Sequence, residues 1–233
     1  MLITLVVANQ KGGVGKTTTA LNLAASLSAA SRKVLLIDLD AQGNSTTGTG
    51  EEKNQKETSL IDVLVENDSA LEKVIEETRY KFDLIPASTD LISAEIELSS
   101  LPSPTAILKE KLKDLGEAYD YTVIDCPPSL GMLSVSALRA ASKVLIPLQC
   151  EYYSLEGLAS MNKTINEIND ATGEKIEISG ILRTMYDSRI RLSREVSQEL
   201  EEHFSEQLCD TVIPRNVKLA EAPSFGMPAL YYE

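Results

Sequence analysis

Apolar, β-branched runs alternate with stretches of helical spacing along almost all of this 233-residue chain. No other feature narrows the possible folds as far. The runs are 2–8 (LITLVVA), 33–40 (KVLLIDLD), 82–87 (FDLIPA), 121–126 (YTVIDC), 143–149 (KVLIPLQ), 176–184 (IEISGILRT) and a short 211–214 (TVIP). The clearest of them are continuously apolar, as strands buried on both faces should be. Between them lie helical segments at 16–30 and at about 60–66, 69–78, 88–99, 104–117, 132–140, 154–170 and 190–203. In the first, Ala20, Leu23, Ala24 and Leu27 share a face. A repeated βα pattern predicts an α/β fold: a mostly parallel twisted sheet flanked by helices on both faces. Trp is absent and aromatics are 5% of the residues, so aliphatic side chains must build the core. The polar stretch 48–59 reads as a surface loop, and residues 1–233 as a single domain.

The first strand-to-helix turn, NQKGGVGKTT at 9–18, is unlike the others. A glycine-rich turn between a strand and a helix is the context of a phosphate loop. Glycines let backbone N–H groups converge on phosphate oxygens, and the helix start adds unpaired N–H groups and a positive dipole end. Gly12, Gly13, Val14, Gly15 and Thr18 would frame the phosphates. Lys16 would reach the β- and γ-phosphates, and the Thr17 hydroxyl would face Mg²⁺. The strict pattern G-x-x-x-x-G-K-S/T has glycine where this chain has Gln10. A second lysine, Lys11, stands five residues before Lys16. Within one chain it reads as a solvated neighbour of the phosphates.

Two later strands end in acids. Asp38 and Asp40 close 33–40, and Asp125 closes 121–126. Strand C-terminal ends are where open parallel sheets bind ligands. An apolar strand ending in Asp matches the element whose carboxylate holds Mg²⁺, often through water. Hydrolysis also needs a group that orients or deprotonates the attacking water. Any one strand-end aspartate can equally be a helix cap; three motifs in the right order argue for a shared site. Pro127 and Pro128 stiffen the exit from the second strand, and Gly131 permits unusual dihedrals.

The net charge of −13 argues against nucleic acid unless the basic residues cluster. They do cluster in 183–194, where Arg183, Arg189, Arg191 and Arg194 face one acid, Asp187; Arg215 and Lys218 follow in RNVK. The plain alternative is a solvated helix face paired with Glu195, Glu199, Glu201 and Glu202. Cys126, Cys150 and Cys209 lack metal-type spacing and read as reduced thiols. No apolar run approaches the roughly 18 residues that span a bilayer.

KGGVGKTT, with its leading lysine, resembles the deviant Walker A loop of the ParA/MinD group of P-loop ATPases. DLDAQGNSTTGTG, DCPPSLG, PLQCEYYSLEGL, TMYDSR and IPRNVKLAEAPSFGMPA together resemble chromosomal ParA (Soj-type) proteins over nearly the whole chain. The resemblance implies a P-loop NTPase fold and ATP with Mg²⁺ sandwiched in a homodimer. Lys11 then reaches the partner subunit's nucleotide and joins Lys16 and Asp40 as the catalytic set. Asp40 matches a switch I aspartate that prepares the attacking water. Thr17, Asp125 and Asp40 surround the metal, with Asp38 supporting it through water. Pro214 and Asn216 frame the adenine. Arg189 and Lys218, with Arg191, Arg194 and Arg215, contact nonspecific DNA. A ParB/Spo0J-like protein stimulates hydrolysis, and the implied location is cytoplasmic and nucleoid-associated, off the membrane.

Two departures from the family pattern stand out. Ala41 replaces the usual proline after Asp40, and the chain closes at PALYYE where relatives continue with another helix. Two other functions share the scaffold. A MinD-like membrane-cycling protein uses a C-terminal amphipathic helix, which PALYYE does not resemble. A small-molecule enzyme of the dethiobiotin-synthetase kind would not be expected to carry the ParA switch and C-terminal motifs together. Cys126, directly after Asp125, does not match the cluster-ligand spacing of nitrogenase iron proteins.

Overall fold

A computed structural model describes residues 2–52, 58–66 and 70–232. In chain order the elements are β1 (Ile3–Val7), α1 (Lys16–Ala29), β2 (Val34–Asp38), α2 (Asn44–Gly48), α3 (Leu60–Val65), β3 (Glu76–Glu77), β4 (Asp83–Ile85), α4 (Ala94–Ser99), α5 (Ile107–Asp114), β5 (Tyr121–Asp125), α6 (Met132–Ala140), β6 (Lys143–Gln149), α7 (Ser154–Thr172), β7 (Glu177–Tyr186), α8 (Arg191–His203), β8 (Leu208–Pro214) and α9 (Val217–Glu221). One sheet runs β3-β4-β2-β5-β1-β6-β7-β8. Every neighbouring pair is parallel except β3 with β4. The expected doubly covered parallel sheet is therefore present.

Alternate residues of the central strands enter opposite cores. Val6, Ile37 and Ile124 pack with α3, α5 and α6 on one face. Val7, Leu36 and Val123 pack against Ala20, Leu21, Ala24 and Ala25 of α1 on the other. The continuous apolar runs thus follow from burial on both faces, each fully buried Leu, Ile or Val contributing about 1.5–3 kcal/mol. The chain leaves β1 toward β2 on one side and reaches β6 on the other, so the crevice of this order reversal lies at the C-terminal ends of β1, β2, β5 and β6.

The helix expected over 69–78 is instead one 3₁₀ turn, Leu71–Lys73, followed by β3; residue 69 lies outside the described residues. Thr78 redirects the chain there. Its N–H and hydroxyl both donate to the Phe82 carbonyl, at 3.1 and 2.6 Å, and Lys81 adopts φ +63° to close the turn. The segments expected at 88–99 and 104–117 each break into a 3₁₀ turn (Thr89–Ile92, Pro104–Ala106) and a shorter helix. β8 starts at Leu208, earlier than expected, because β7 offers it a pairing edge. Of the loop expected at 48–59, residues 53–57 lie outside the described residues; Gly48 ends α2, and Ser59 opens α3 with a reciprocal capping box to Asp62. α2 and α9 have five residues each, too few for a helical period to register.

Candidate functional site

The glycine-rich loop turns directly from β1 into α1. Gly13 and Gly15 take φ of 73° and 90°, a left-handed geometry that other residues rarely adopt. Gly15 is the residue before the helix, and no side chain caps the N–H groups of the first turn. Those donors remain available to an anion. The carbonyls of the loop are tied down from outside. Thr184 of β7 donates to Val14 O at 2.8 Å, and Gln149 of β6 donates to Gly13 O at 3.1 Å. Asn9 accepts from the Lys11 N–H at 2.9 Å and donates to Pro147 O at 2.8 Å.

The two lysines separate. Lys16 is buried, and its ammonium donates to the Lys11 carbonyl at 3.1 Å. Burial lowers its pKa, opposed by the charges of Asp125 and Asp40. Lys11 points away to a salt bridge with Glu151, both side chains substantially exposed.

The acids converge under this loop. Asp38 and Asp125 are register partners on β2 and β5 and are both wholly inaccessible. Burial raises the pKa of each, and their mutual repulsion adds to the rise at Asp125. Asp38 Oδ2 accepts from the N–H and hydroxyl of Thr46, both at 2.8 Å. Asp125 Oδ2 accepts from the Ser45 hydroxyl at 2.7 Å, and both Ser45 and Thr17 oppose its rise in pKa. Asp125 Oδ1 is buried with no hydrogen-bond partner. A carboxylate at this depth with an unsatisfied oxygen, beside a second acid and a threonine hydroxyl, fits a hydrated Mg²⁺, which is commonly held by one or two carboxylates together with phosphates and water. Asp40 is half-buried at the rim and accepts from the Gln42 N–H at 2.9 Å.

A cleft of about 770 Å³ adjoins the loop, lined by Gly15, Thr18 and Asn22 on one side and by Pro214, Arg215 and Asn216 on the other. The structure thus brings the expected phosphate loop and the expected adenine-framing residues to one cleft. The Asn216 Oδ1 is engaged, accepting from the Lys218 N–H at 2.8 Å as the cap of α9.

The basic residues divide. Arg183 is not a surface cation: it is buried and bonds Ser197, Glu201 and the Cys209 carbonyl. Arg189 grips Asp187 with two nitrogens and holds that carboxyl well below its usual range; Arg191 pairs with Glu195. Arg194 is exposed and donates to the Ser188 carbonyl at 2.7 Å. Arg215 and Lys218 are exposed and carry no salt bridge among the described residues.

Sequence reasoning missed Ser45, Thr46, Gln149, Thr184 and Glu151. Gln149 and Thr184 sit at or near strand C-terminal ends, where the location rule for parallel sheets could have flagged them. Ser45 and Thr46 gave no comparable signal, because only the folding of α2 over β2 and β5 brings them to the acids.

The family described as AAA domain matches residues 3–178. Among curated proteins, the chain is 44% identical to the chromosome partitioning protein ParA of Myxococcus xanthus, over 98% of this chain and 81% of that one. It is also 44% identical to the sporulation initiation inhibitor protein Soj of Bacillus subtilis, over 98% and 90%. Among solved structures, cobyrinic acid a,c-diamide synthase from Mycobacterium smegmatis, with bound ADP and magnesium, superposes with a TM-score of 0.86 at 36% identity, covering 97% of this chain and 93% of that one.

Proposed function

The chain belongs to the ParA/Soj family of chromosome-partitioning ATPases, and from that premise we propose that residues 1–233 act as one ATP- and Mg²⁺-dependent unit that partitions DNA by cycling between a monomer and an ATP-sandwich dimer. The observation that carries the reading is the separation of the two lysines: Lys16 is buried beside the acids, while Lys11 is held to Glu151 at the exposed edge.

Each residue then has a physical task. The loop amides and the open first turn of α1 receive the phosphates, and Lys16 exchanges the Lys11 carbonyl for a phosphate oxygen. Asp125, Thr17 and Asp40 are the residues that would hold Mg²⁺, which supplies charge neutralisation for the phosphates. Asp40, at the wet rim, orients the attacking water and accepts its proton. Pro214 and Asn216 border the adenine end of the cleft. Lys11 leaves Glu151 for the nucleotide of a second copy, so ATP is what joins the two copies.

DNA contact falls first on Arg194, Arg215 and Lys218. Arg189 and Arg191 can join by exchanging their acids for phosphates, since exposed pairs bind weakly. Doubling these cations in a dimer strengthens a salt-dependent attachment, each neutralised phosphate adding about 0.9 to the log–log salt slope. A ParB/Spo0J-like protein stimulates hydrolysis and resets the cycle, and the protein resides on the nucleoid in the cytoplasm.

The test is a DNA-binding titration with ATP, ADP and no nucleotide at two salt concentrations. Binding should be tightest with ATP and should weaken steeply with salt. Equal affinity in all three states would remove the coupling of nucleotide to DNA. ADP release that depends on a small-molecule substrate and ignores DNA would assign the scaffold to a small-molecule enzyme.

A further inference from the structure

We propose that Ser45 is a positioning residue for the metal carboxylate: its hydroxyl commits Asp125 Oδ2 and so leaves Oδ1 as the oxygen turned to Mg²⁺. The inference rests on the assignment of Asp125 to the metal given above.

The geometry begins with α2. Gly43, at φ 60°, turns the chain back over the sheet just after Asp40. The next residues form a single short helix, and two consecutive ones bind the two buried acids. Ser45 serves Asp125 at the end of β5, and Thr46 serves Asp38 at the end of β2. Both side chains are fully buried. The arrangement is anchored further, because the Thr46 oxygen accepts from the Ala87 N–H at 2.9 Å. Thr46 is therefore saturated by the scaffold, whereas Ser45 has one task.

A hydroxyl carries one proton, so Ser45 can satisfy only one carboxylate oxygen. Asp125 Oδ2 takes it at 2.7 Å, and Oδ1 stays buried with no partner. An unpaired carboxylate oxygen at full burial is strongly unfavourable unless a cation or an ordered water completes it. That hydrogen bond restrains the carboxyl, beside which the Thr17 side chain also lies, so the other oxygen is held in place before any ligand arrives. This is how outer hydrogen bonds tune metal ligands generally, and their loss typically weakens metal binding about 10- to 100-fold. Ser45 also lies only five residues beyond Asp40. The same short segment therefore sets the metal carboxylate and carries the residue that prepares the water.

The experiment measures the Mg²⁺ dependence of binding of a fluorescent ATP analogue to the whole chain, wild type against Ser45→Ala. The Mg²⁺ concentration for half-maximal tightening should rise about tenfold or more, while affinity for the Mg²⁺-free analogue changes little; the melting temperature without Mg²⁺ should fall, because the buried carboxyl loses its donor. Ser45→Cys keeps a weak donor and should fall between the two; it stands in if the alanine variant does not fold. Equal weakening with and without Mg²⁺, or no change in either, overturns the positioning role. Asp125→Asn separates the two levels. If it abolishes the Mg²⁺ effect while Ser45→Ala does not alter it, the Ser45 inference fails alone. If Asp125→Asn leaves the Mg²⁺ effect intact, the metal assignment itself is wrong.

Discussion

Replacing Glu151 by Gln should tighten the proposed ATP-dependent dimer. In the single chain, the Lys11 ammonium is bound to Glu151, with side chains 39% and 53% exposed. If Lys11 must reach a partner's nucleotide, forming one dimer breaks two such pairs. An exposed pair contributes about 0.2–1 kcal/mol, so the two together oppose dimerisation by about 0.4–2 kcal/mol. At 1.4 kcal/mol per factor of ten, removing the charge should lower the dimer dissociation constant about 2- to 30-fold. Glutamine keeps the shape of the side chain and loses only the ionic attraction. Sedimentation velocity with Mg²⁺ and a nonhydrolysable ATP analogue measures the effect, and monomer affinity for the analogue should not change. The gain should shrink at high salt, because exposed charges are screened over about 8–10 Å at moderate ionic strength. In a Lys11→Ala background the Glu151→Gln change should be silent, which makes the pair a double-mutant cycle. A weaker dimer in Glu151→Gln would mean that Glu151 makes its own contact across the interface, and the account of a restrained lysine would fall.

Other outcomes are equally open to measurement. Asp40→Ala should retain ATP-dependent dimerisation but lose turnover, so that the protein stays on DNA in ATP; loss of the dimer in gel filtration would remove Asp40 from the water-activating role. Burial raises the pKa of Asp38 and Asp125 from the ordinary 3.8. Groups raised in this way favour the fold when protonated, so ligand-free stability should fall as pH rises from about 4 toward the raised values. Asp125→Asn should flatten that fall in a urea-denaturation series; an unchanged pH profile would show that the carboxylate is not strained by burial. Gly226→Ala should cost at least about 2 kcal/mol, because φ is +64° and a Cβ would lie 2.7 Å from Gly50 Cα. Gly116→Ala, also at positive φ but with nothing within 4 Å, should cost only about 1 kcal/mol, and equal losses would mean that the Gly50–Gly226 contact carries no weight.

Much of the fold was legible because its signals are local. The continuous runs at β1, β2, β5 and β6 needed only the alternation rule, since both faces of each strand are buried. Where a neighbour decided the outcome, reading the sequence went astray. Residues 70–78 look helical until Thr78 closes its turn on Phe82 and β3 pairs with β4. β8 extends back to Leu208 because β7 supplies the edge. In the site, the glycine-rich turn and the strand-end acids stand where the sequence puts them, whereas the arginines of 183–194 do not share one environment. Arg183 looks like Arg189 in sequence, yet it is a buried brace between β7, α8 and β8.

What the residues determine alone is the type and order of the pieces. A glycine-rich turn between strand and helix, and acids at strand ends, are set by backbone freedom and by where parallel strands point. What only the tertiary structure decides is partnership across the chain. Lys11 meets Glu151 across 140 residues, and Ser45 meets Asp125 across 80. No local propensity encodes such contacts, because they arise only when β2 is set beside β5, and β1 beside β6, in one sheet. The two lysines of the loop share one local context; the fold places one among the buried acids and the other at an exposed edge.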